Sequence, residues 1–166
     1  MPDDPESWSN LGLVSVQLGD IPKARACWEH VTVLEPSDFS GWLNRGQLAY
    51  SLDLIEEGVV AWTKACEINK QLKPIWVTAY EAGSGRFSLG SVPEASARYD
   101  EAIRLNPHYA EPWVGKALCT KRLGEIDQAL KFLDEALSRD DGNAKTWFIR
   151  GNFLSECNRG QPVPES

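Results

Sequence analysis

The stretch WSNLGLVSVQLGD, which begins at Trp8, is written again with variations from Trp42 as WLNRGQLAYSLDL. The offset is 34 residues, and it also links Gly12 to Gly46 and Trp28 to Trp62. A fixed period of this length constrains the fold more than composition does, because each unit must bury its apolar face against a neighbouring copy. Aligned on the glycine, the units run through Gly12, Gly46, Gly83, Ala117 and Gly151, in steps of 34, 37, 34 and 34 residues. Other columns keep the same phase. Trp8, Trp42, Ala79, Trp113 and Trp147 form one, Trp28, Trp62, Tyr99 and Leu133 a second, and Val31, Ala65, Ala102 and Ala136 a third.

Each unit reads as two helices and a tight turn. In the first, Pro5 or Ser7 can open a helix in which Trp8, Leu11 and Gly12 share a face, and Gly19-Asp20 supplies the turn. Pro22 suits the first turn of a second helix, where its missing N–H is not needed. Ala24, Trp28 and Val31 then form a stripe at i, i+4, i+7 before Glu35-Pro36 ends the helix. The expected product is an antiparallel helical hairpin.

The spacing of Trp8, Leu11, Gly12, Gly19, Ala24, Trp28 and Pro36 resembles the tetratricopeptide repeat, as does that of Pro107, Trp113, Gly124, Ala129 and Ala136 in the fourth unit. The resemblance covers residues 5–157 and implies an all-α, right-handed superhelical solenoid of antiparallel hairpins. The expected organisation is a single array of units at about 5–38, 39–75, 76–109, 110–143 and 144–157, followed by a tail at 158–166. Departures from the family pattern include Gly58 in an alanine position, Lys70 and Asp141 in proline positions, and Arg45, Lys116 and Arg150 where leucine is common. The longer third step lies in CEINKQLKPIW; an extra turn on the second unit's outer helix, ended by Pro74, is the favoured account, and a bulged loop the alternative. The fifth unit shows one helix, which either caps the array or continues into a longer protein.

A net charge of −7 argues against a phosphate backbone or an anionic membrane as partner. The opening MPDDPESW has the look of neither a secretory signal nor a transit peptide, and no apolar run approaches a bilayer span. Cys27, Cys66, Cys119 and Cys157 form no C-x-x-C pair, so reduced thiols in the cytoplasm are expected.

Catalysis by a nucleophile needs a base beside it, and the two histidines, His30 on an outer helix and His108 in a turn, are poorly placed for that. Cys27 and His30 lack a second pair to complete a metal site; Cys27 is expected in the core and His30 in solvent. GSGRFSLG, residues 83–90, is not followed by a Gly-Lys-Ser/Thr, and Gly83 and Gly90 already have packing and turn roles, leaving only Gly85 as a weak point in its helix. Neither enzyme activity, cofactor nor metal is expected.

What remains is the concave groove that such an array implies, lined by the first helix of each unit. The groove positions are Asn10, Leu13 and Gln17; Leu43, Asn44, Gln47 and Tyr50; Val77, Tyr80, Glu81 and Ser84; Val114, Leu118 and Lys121; and Lys145, Phe148 and Asn152. Asn10 and Asn44 can bond a peptide backbone, Tyr50, Tyr80 and Phe148 offer rigid contact area, and Lys121, Arg122 and Lys145 form a basic cluster that either pairs with Glu111, Glu125 or Glu156 or orients a ligand's carboxylates. The clamp of lysine, arginine and asparagine by which some members of the family hold a chaperone's terminal carboxylate falls at Ser9, Leu13, Asn44, Val77 and Glu81, where only the asparagine is kept. The expected function is an adaptor that binds a protein or peptide segment without that clamp. The alternative is a structural piece of a longer solenoid, or a subunit that self-associates through its C-terminal helix.

Overall fold

The computed structural model describes residues 4–159. Among them the chain forms nine helices and no strand: α1 Pro5–Gln17, α2 Ile21–Leu34, α3 Phe39–Ser51, α4 Ile55–Ile68, α5 Ile75–Ser88, α6 Val92–Leu105, α7 Glu111–Arg122, α8 Ile126–Arg139 and α9 Ala144–Arg159. The tail expected over 158–166 lies, from residue 160 onward, outside the described residues. Two compact halves partition the chain, Met1–Pro74 and Ile75–Ser166. In the first, α1 packs on α2, α3 on α4, and α2 on α3. In the second, α5 packs on α6, α7 on α8, and α6, α8 and α5 also meet α7, α9 and α7 respectively.

Local chemistry fixes where the helices begin and end. The Asp4 carboxylate accepts from Ser7 N at 2.9 Å with Pro5 in the first turn, and Asp20 and Asp38 accept in the same way from Lys23 N and Ser40 N. Within each hairpin the turn passes through one left-handed residue, at Gly19 (φ 74°), Asp53 (φ 59°), Gly90 (φ 81°) and Gly124 (φ 85°). These four share one position of the period. Asp53 is the exception to glycine there, a residue type that tolerates this conformation because its short side chain bonds locally.

The core of each of the first three hairpins is a ring seated on a glycine. A Cβ built on Gly12 would stand 2.7 Å from Trp28 Nε1, one on Gly46 2.6 Å from Trp62 Cδ1, and one on Gly83 2.8 Å from Tyr99 Cδ1. In every case the ring lies 16 residues after its glycine. The glycine therefore does more than let two backbones approach: it leaves the volume that an indole or phenol edge fills. Tyr99 is held from two sides, since a Cβ on Gly115 of α7 would come within 2.5 Å of its Cζ. The fourth hairpin reaches the same end with Ala117 and Leu133, both fully buried, a smaller side chain leaving room for a methyl. The indole N–H groups of Trp28 and Trp62 face this seat and find no acceptor among the described residues, so shape rather than hydrogen bonding selects tryptophan.

A second set of tryptophans ties α3, α7 and α9 each to the turn before it. The indoles of Trp42, Trp113 and Trp147 donate to the carbonyls of Pro36, Pro107 and Asp141, each six residues earlier, at 3.0, 3.3 and 2.8 Å. Asp141 departs from the proline pattern without consequence for this bond, because the acceptor is its backbone carbonyl. Trp8 differs: its ring lies against the half-buried His30, with centroids 4.5 Å apart. His30 is thus packed rather than solvated, because the flanking indole offers it an apolar surface.

The extra turn expected on the second outer helix is absent. α4 has 14 residues, as do α2, α6 and α8. The additional residues form the loop 69–74. Asn69 ends α4: its N–H still bonds Ala65 O, but its side chain accepts from Gln71 N at 3.0 Å and its carbonyl from Leu72 N, a local turn that competes with helix. Pro74 then disfavours helical geometry at Lys73.

Trp28 is 4% exposed and gathers Ala24, Val31 and Leu48 around it. Trp28→Ala should lower unfolding free energy by about 3–5 kcal/mol in a denaturant titration; a loss under about 1 kcal/mol would contradict its place in the core. Gly85, by contrast, sits in α5 with open space where a Cβ would be. Gly85→Ala should raise stability by about 0.5–1 kcal/mol in the same titration, and a loss would contradict the open site.

Candidate functional site

The inner helices leave two clefts built to one plan. In the first half, α1 and α3 enclose about 410 Å³ lined by Leu13, Val16, Gln17, Trp28, Asn44, Gln47, Leu48 and Ser51. In the second, α7 and α9 enclose about 350 Å³ lined by Leu118, Lys121, Ile149, Asn152, Phe153, Ser155 and Glu156. Six residues of each lining correspond at a spacing of 105: Leu13 with Leu118, Val16 with Lys121, Asn44 with Ile149, Gln47 with Asn152, Leu48 with Phe153 and Ser51 with Glu156. The same helix geometry recurs, and the chemistry on it differs.

Among the described residues no charged side chain lines the α1–α3 cleft. Leu13 and Val16 are 46% and 40% exposed, the buried Leu48 and Trp28 lie among them, and the carboxamides of Gln17, Asn44 and Gln47 complete the lining. A carboxamide offers a donor and an acceptor together, which suits the N–H and C=O of a peptide. In the α7–α9 cleft the ammonium of Lys121 instead bonds Glu156 Oε1 at 2.6 Å and lies 4.4 Å from the centre of the Phe153 ring. That ion pair spans the cleft from helix to helix.

Of the expected groove residues, Leu13, Gln17, Asn44 and Gln47 come together in the first cleft, and Leu118, Lys121 and Asn152 in the second. Asn10 lines a separate polar depression with Ser9, Glu35 and Asp38. Leu43 and Val77 are half-buried, Glu81 is exposed, and Val114 packs on the core around Leu133. The three aromatic anchors have different surroundings. Tyr50 lies under Gly58, where a Cβ would come within 2.9 Å of its ring; Tyr80 packs against Tyr99 and edge-on to Tyr109, with centroids 5.9 and 5.6 Å apart. Ser84 accepts from the Tyr99 hydroxyl at 3.3 Å. Phe148 alone of the three stays open, 69% exposed, beside Lys145 on α9. Arg122 lies over the Phe87 ring and donates to Phe87 O at 3.2 Å, so Lys121 and Arg122 both have partners inside their own half.

Sequence reasoning named Glu156 as one possible partner of the basic cluster but did not single out Val16, Leu48, Ser51, Ile149 or Phe153 as groove residues. The signal was present: residues 16 and 51 are 35 apart, as are Lys121 and Glu156, and the opposite charges of the second pair predict a bridge once the columns are compared. The three slots in which Arg45, Lys116 and Arg150 replace leucine are explained by carboxylates on outer helices, Glu57 at 3.3 Å, Asp100 at 2.9 Å and Asp134 at 2.7 Å.

Burial raises the thiol pKa of Cys27 and Cys119, which disfavours the reactive thiolate. His108 is exposed in the turn after α6. Among the described residues no group of three or more His, Cys, Asp or Glu is arranged to hold a metal ion, and no helix is long and apolar enough to cross a membrane.

Comparison with known proteins finds similar chains among curated sequences and among solved structures. Hsp70-Hsp90 organizing protein 3 of Arabidopsis thaliana is 31% identical over 71 residues, which are 43% of this chain and 13% of that protein. The Hsp70-Hsp90 organizing protein of Triticum aestivum is 32% identical over the same length, 12% of its own. The matched part of the chain thus spans about an eighth of these relatives. Among solved structures, MamA is 19% identical with a TM-score of 0.47, over 93% of this chain and 82% of that one. The first tetratricopeptide-repeat domain of Spaghetti, bound to the HSP90 peptide SRMEEVD, is 15% identical with a TM-score of 0.48, over 72% and 95%. Two family profiles, each described as tetratricopeptide repeat, match residues 2–67 and 86–147, most of the chain between them. With the 34-residue period and the glycine-seated hairpins, these matches place the chain in the tetratricopeptide-repeat family.

Proposed function

We propose that this chain is an adaptor that holds a partner protein by a short, mainly apolar and uncharged segment seated in the α1–α3 cleft. One observation carries the reading: two clefts of the same plan exist, and the one between α1 and α3 has an uncharged lining while its counterpart is spanned by Lys121 and Glu156. An apolar side chain of the segment covers Leu13, Val16 and Leu48, gaining roughly 25 cal/mol per Å² of surface removed from water. Gln17, Asn44 and Gln47 bond the segment's backbone, so that a peptide group leaving water is not left unpaired.

The relatives named as Hsp70-Hsp90 organizing proteins make a chaperone one candidate partner. Recognition here would differ from a terminal-carboxylate clamp, since Ser9, Leu13, Val77 and Glu81 supply no cation at those positions and the cleft supplies none of its own. Lys121 and Arg122, tied to Glu156 and Phe87, serve the second half rather than orienting this ligand.

Peptides selected from a random library on the whole chain, followed by fluorescence titration, test the proposal. Enriched sequences should be apolar and uncharged, Leu13→Asp should weaken them by about tenfold or more, and Lys121→Glu should leave affinity unchanged at low and high salt. Enrichment of carboxylates, tight binding of SRMEEVD, or loss of binding in Lys121→Glu would overturn it.

A further inference from the structure

Within each half, neighbouring inner helices face each other at one recurring pair of positions, 35 residues apart. Between α5 and α7 the pair is Phe87 and Arg122: the guanidinium lies 4.6 Å from the centre of the ring and donates to Phe87 O at 3.2 Å. Between α7 and α9 it is Lys121 and Glu156, joined at 2.6 Å. Between α1 and α3 it is Val16 and Ser51. Val16, Phe87 and Lys121 share one column of the repeat, and Ser51, Arg122 and Glu156 share the next.

In the second half, then, a cation at this place reaches from one helix to the next. In the first half neither partner can do so. Val16, 40% exposed, has no polar atom in its side chain, and the hydroxyl of the exposed Ser51 is bonded back to Leu48 O of its own helix at 2.7 Å. Both residues line the α1–α3 cleft. The register of the helices is the same in all three cases, so the difference lies in the side chains at two positions.

We infer, resting on the proposed function of the α1–α3 cleft, that this pair of positions is a gate and that Val16 and Ser51 are the residues that set the specificity of that cleft, admitting an uncharged apolar segment by leaving the gate open. A bridging cation closes it in two ways. It covers apolar surface, as Lys121 does at 4.4 Å from Phe153, the counterpart of Leu48. It also ties the helices together by a charge-assisted hydrogen bond that an uncharged segment cannot replace. A lone cation at the gate would instead attract a carboxylate. The residue pair thus chooses among an open, a bridged and a singly charged cleft.

One random peptide library, selected in parallel on whole chains of the parent, Val16→Lys and Val16→Lys/Ser51→Glu, tests the gate; the last variant carries at 16 and 51 the residue types found at 121 and 156. The parent should enrich uncharged apolar peptides, and these should bind the double variant about tenfold or more weakly in fluorescence titration. Val16→Lys should enrich peptides with a carboxylate whose affinity falls with salt, and adding Ser51→Glu should abolish that enrichment. Loss of a packing contact alone would weaken binding without selecting carboxylates, so the charge of the enriched peptides separates specificity from structure. Both positions are open to solvent, and both variants should melt within a few degrees of the parent, which keeps lost binding apart from lost folding. If the parent's uncharged peptides bind the double variant equally well, the proposed function stands and the gate falls. If the parent enriches charged peptides or none, the proposed function fails and the gate with it. Carboxylate enrichment that persists in the double variant would also overturn the gate, since the new carboxylate would then leave the new cation free.

Discussion

A glycine on the inner helix facing a ring on the outer helix is the contact on which each of the first three hairpins depends. Glycine in a helix costs about 1 kcal/mol against alanine. A buried aromatic removes roughly 150–250 Å² from water, worth about 4–6 kcal/mol as an upper bound, so the seat is stabilising if the ring fills it. Gly12, Gly46 and Gly83 meet that condition. Gly85 does not, having no neighbour to receive, and it shows what the same residue costs without a ring. Ala117 and Leu133 show that the requirement is one of combined volume: a methyl is allowed when the facing side chain is smaller.

Because these columns carry the core, others are free to differ, and the proposed function draws on them. The α1–α3 and α7–α9 clefts follow one plan, but Val16 and Ser51 in the first become Lys121 and Glu156 in the second. An exposed ion pair of this kind contributes little to stability, about 0–1 kcal/mol. Under the proposed function its effect is on access: a segment entering the second cleft would have to separate a cation from its carboxylate, whereas one entering the first would meet uncharged groups alone. Repetition fixes the shape of a site, and a few substitutions set what it accepts.

The hairpins, their turns and the glycine column were legible in the sequence because each depends on contacts of fixed separation. Ala24, Trp28 and Val31 repeat at helical spacing, and the left-handed turn repeats through Gly19, Gly90 and Gly124. The loop after α4 was not, since Asn69 ends the helix through its own side chain, a choice between two local geometries that periodicity does not register. Four groove residues met in one cleft as a shared face predicts, but Tyr50 and Tyr80 turned into the packing. An aromatic on an inner helix reads alike whether it faces a ligand or a neighbouring glycine, and the deciding residues, Gly58 for one and Tyr99 with Tyr109 for the other, lie on different elements.

The seat itself is tested most directly by a double-mutant cycle on the second hairpin. Gly46→Ala places a Cβ 2.6 Å from Trp62, and Trp62→Leu empties the volume that the ring fills, so each alone should destabilise. Together they recreate the Ala117 and Leu133 pair, in which methyl and side chain fit. Denaturant titration of the four proteins should give a favourable coupling of about 1 kcal/mol or more, with the double mutant more stable than the sum of the single losses. Additive losses, or a Gly46→Ala protein more stable than the parent, would contradict the glycine-seated ring as the basis of the fold.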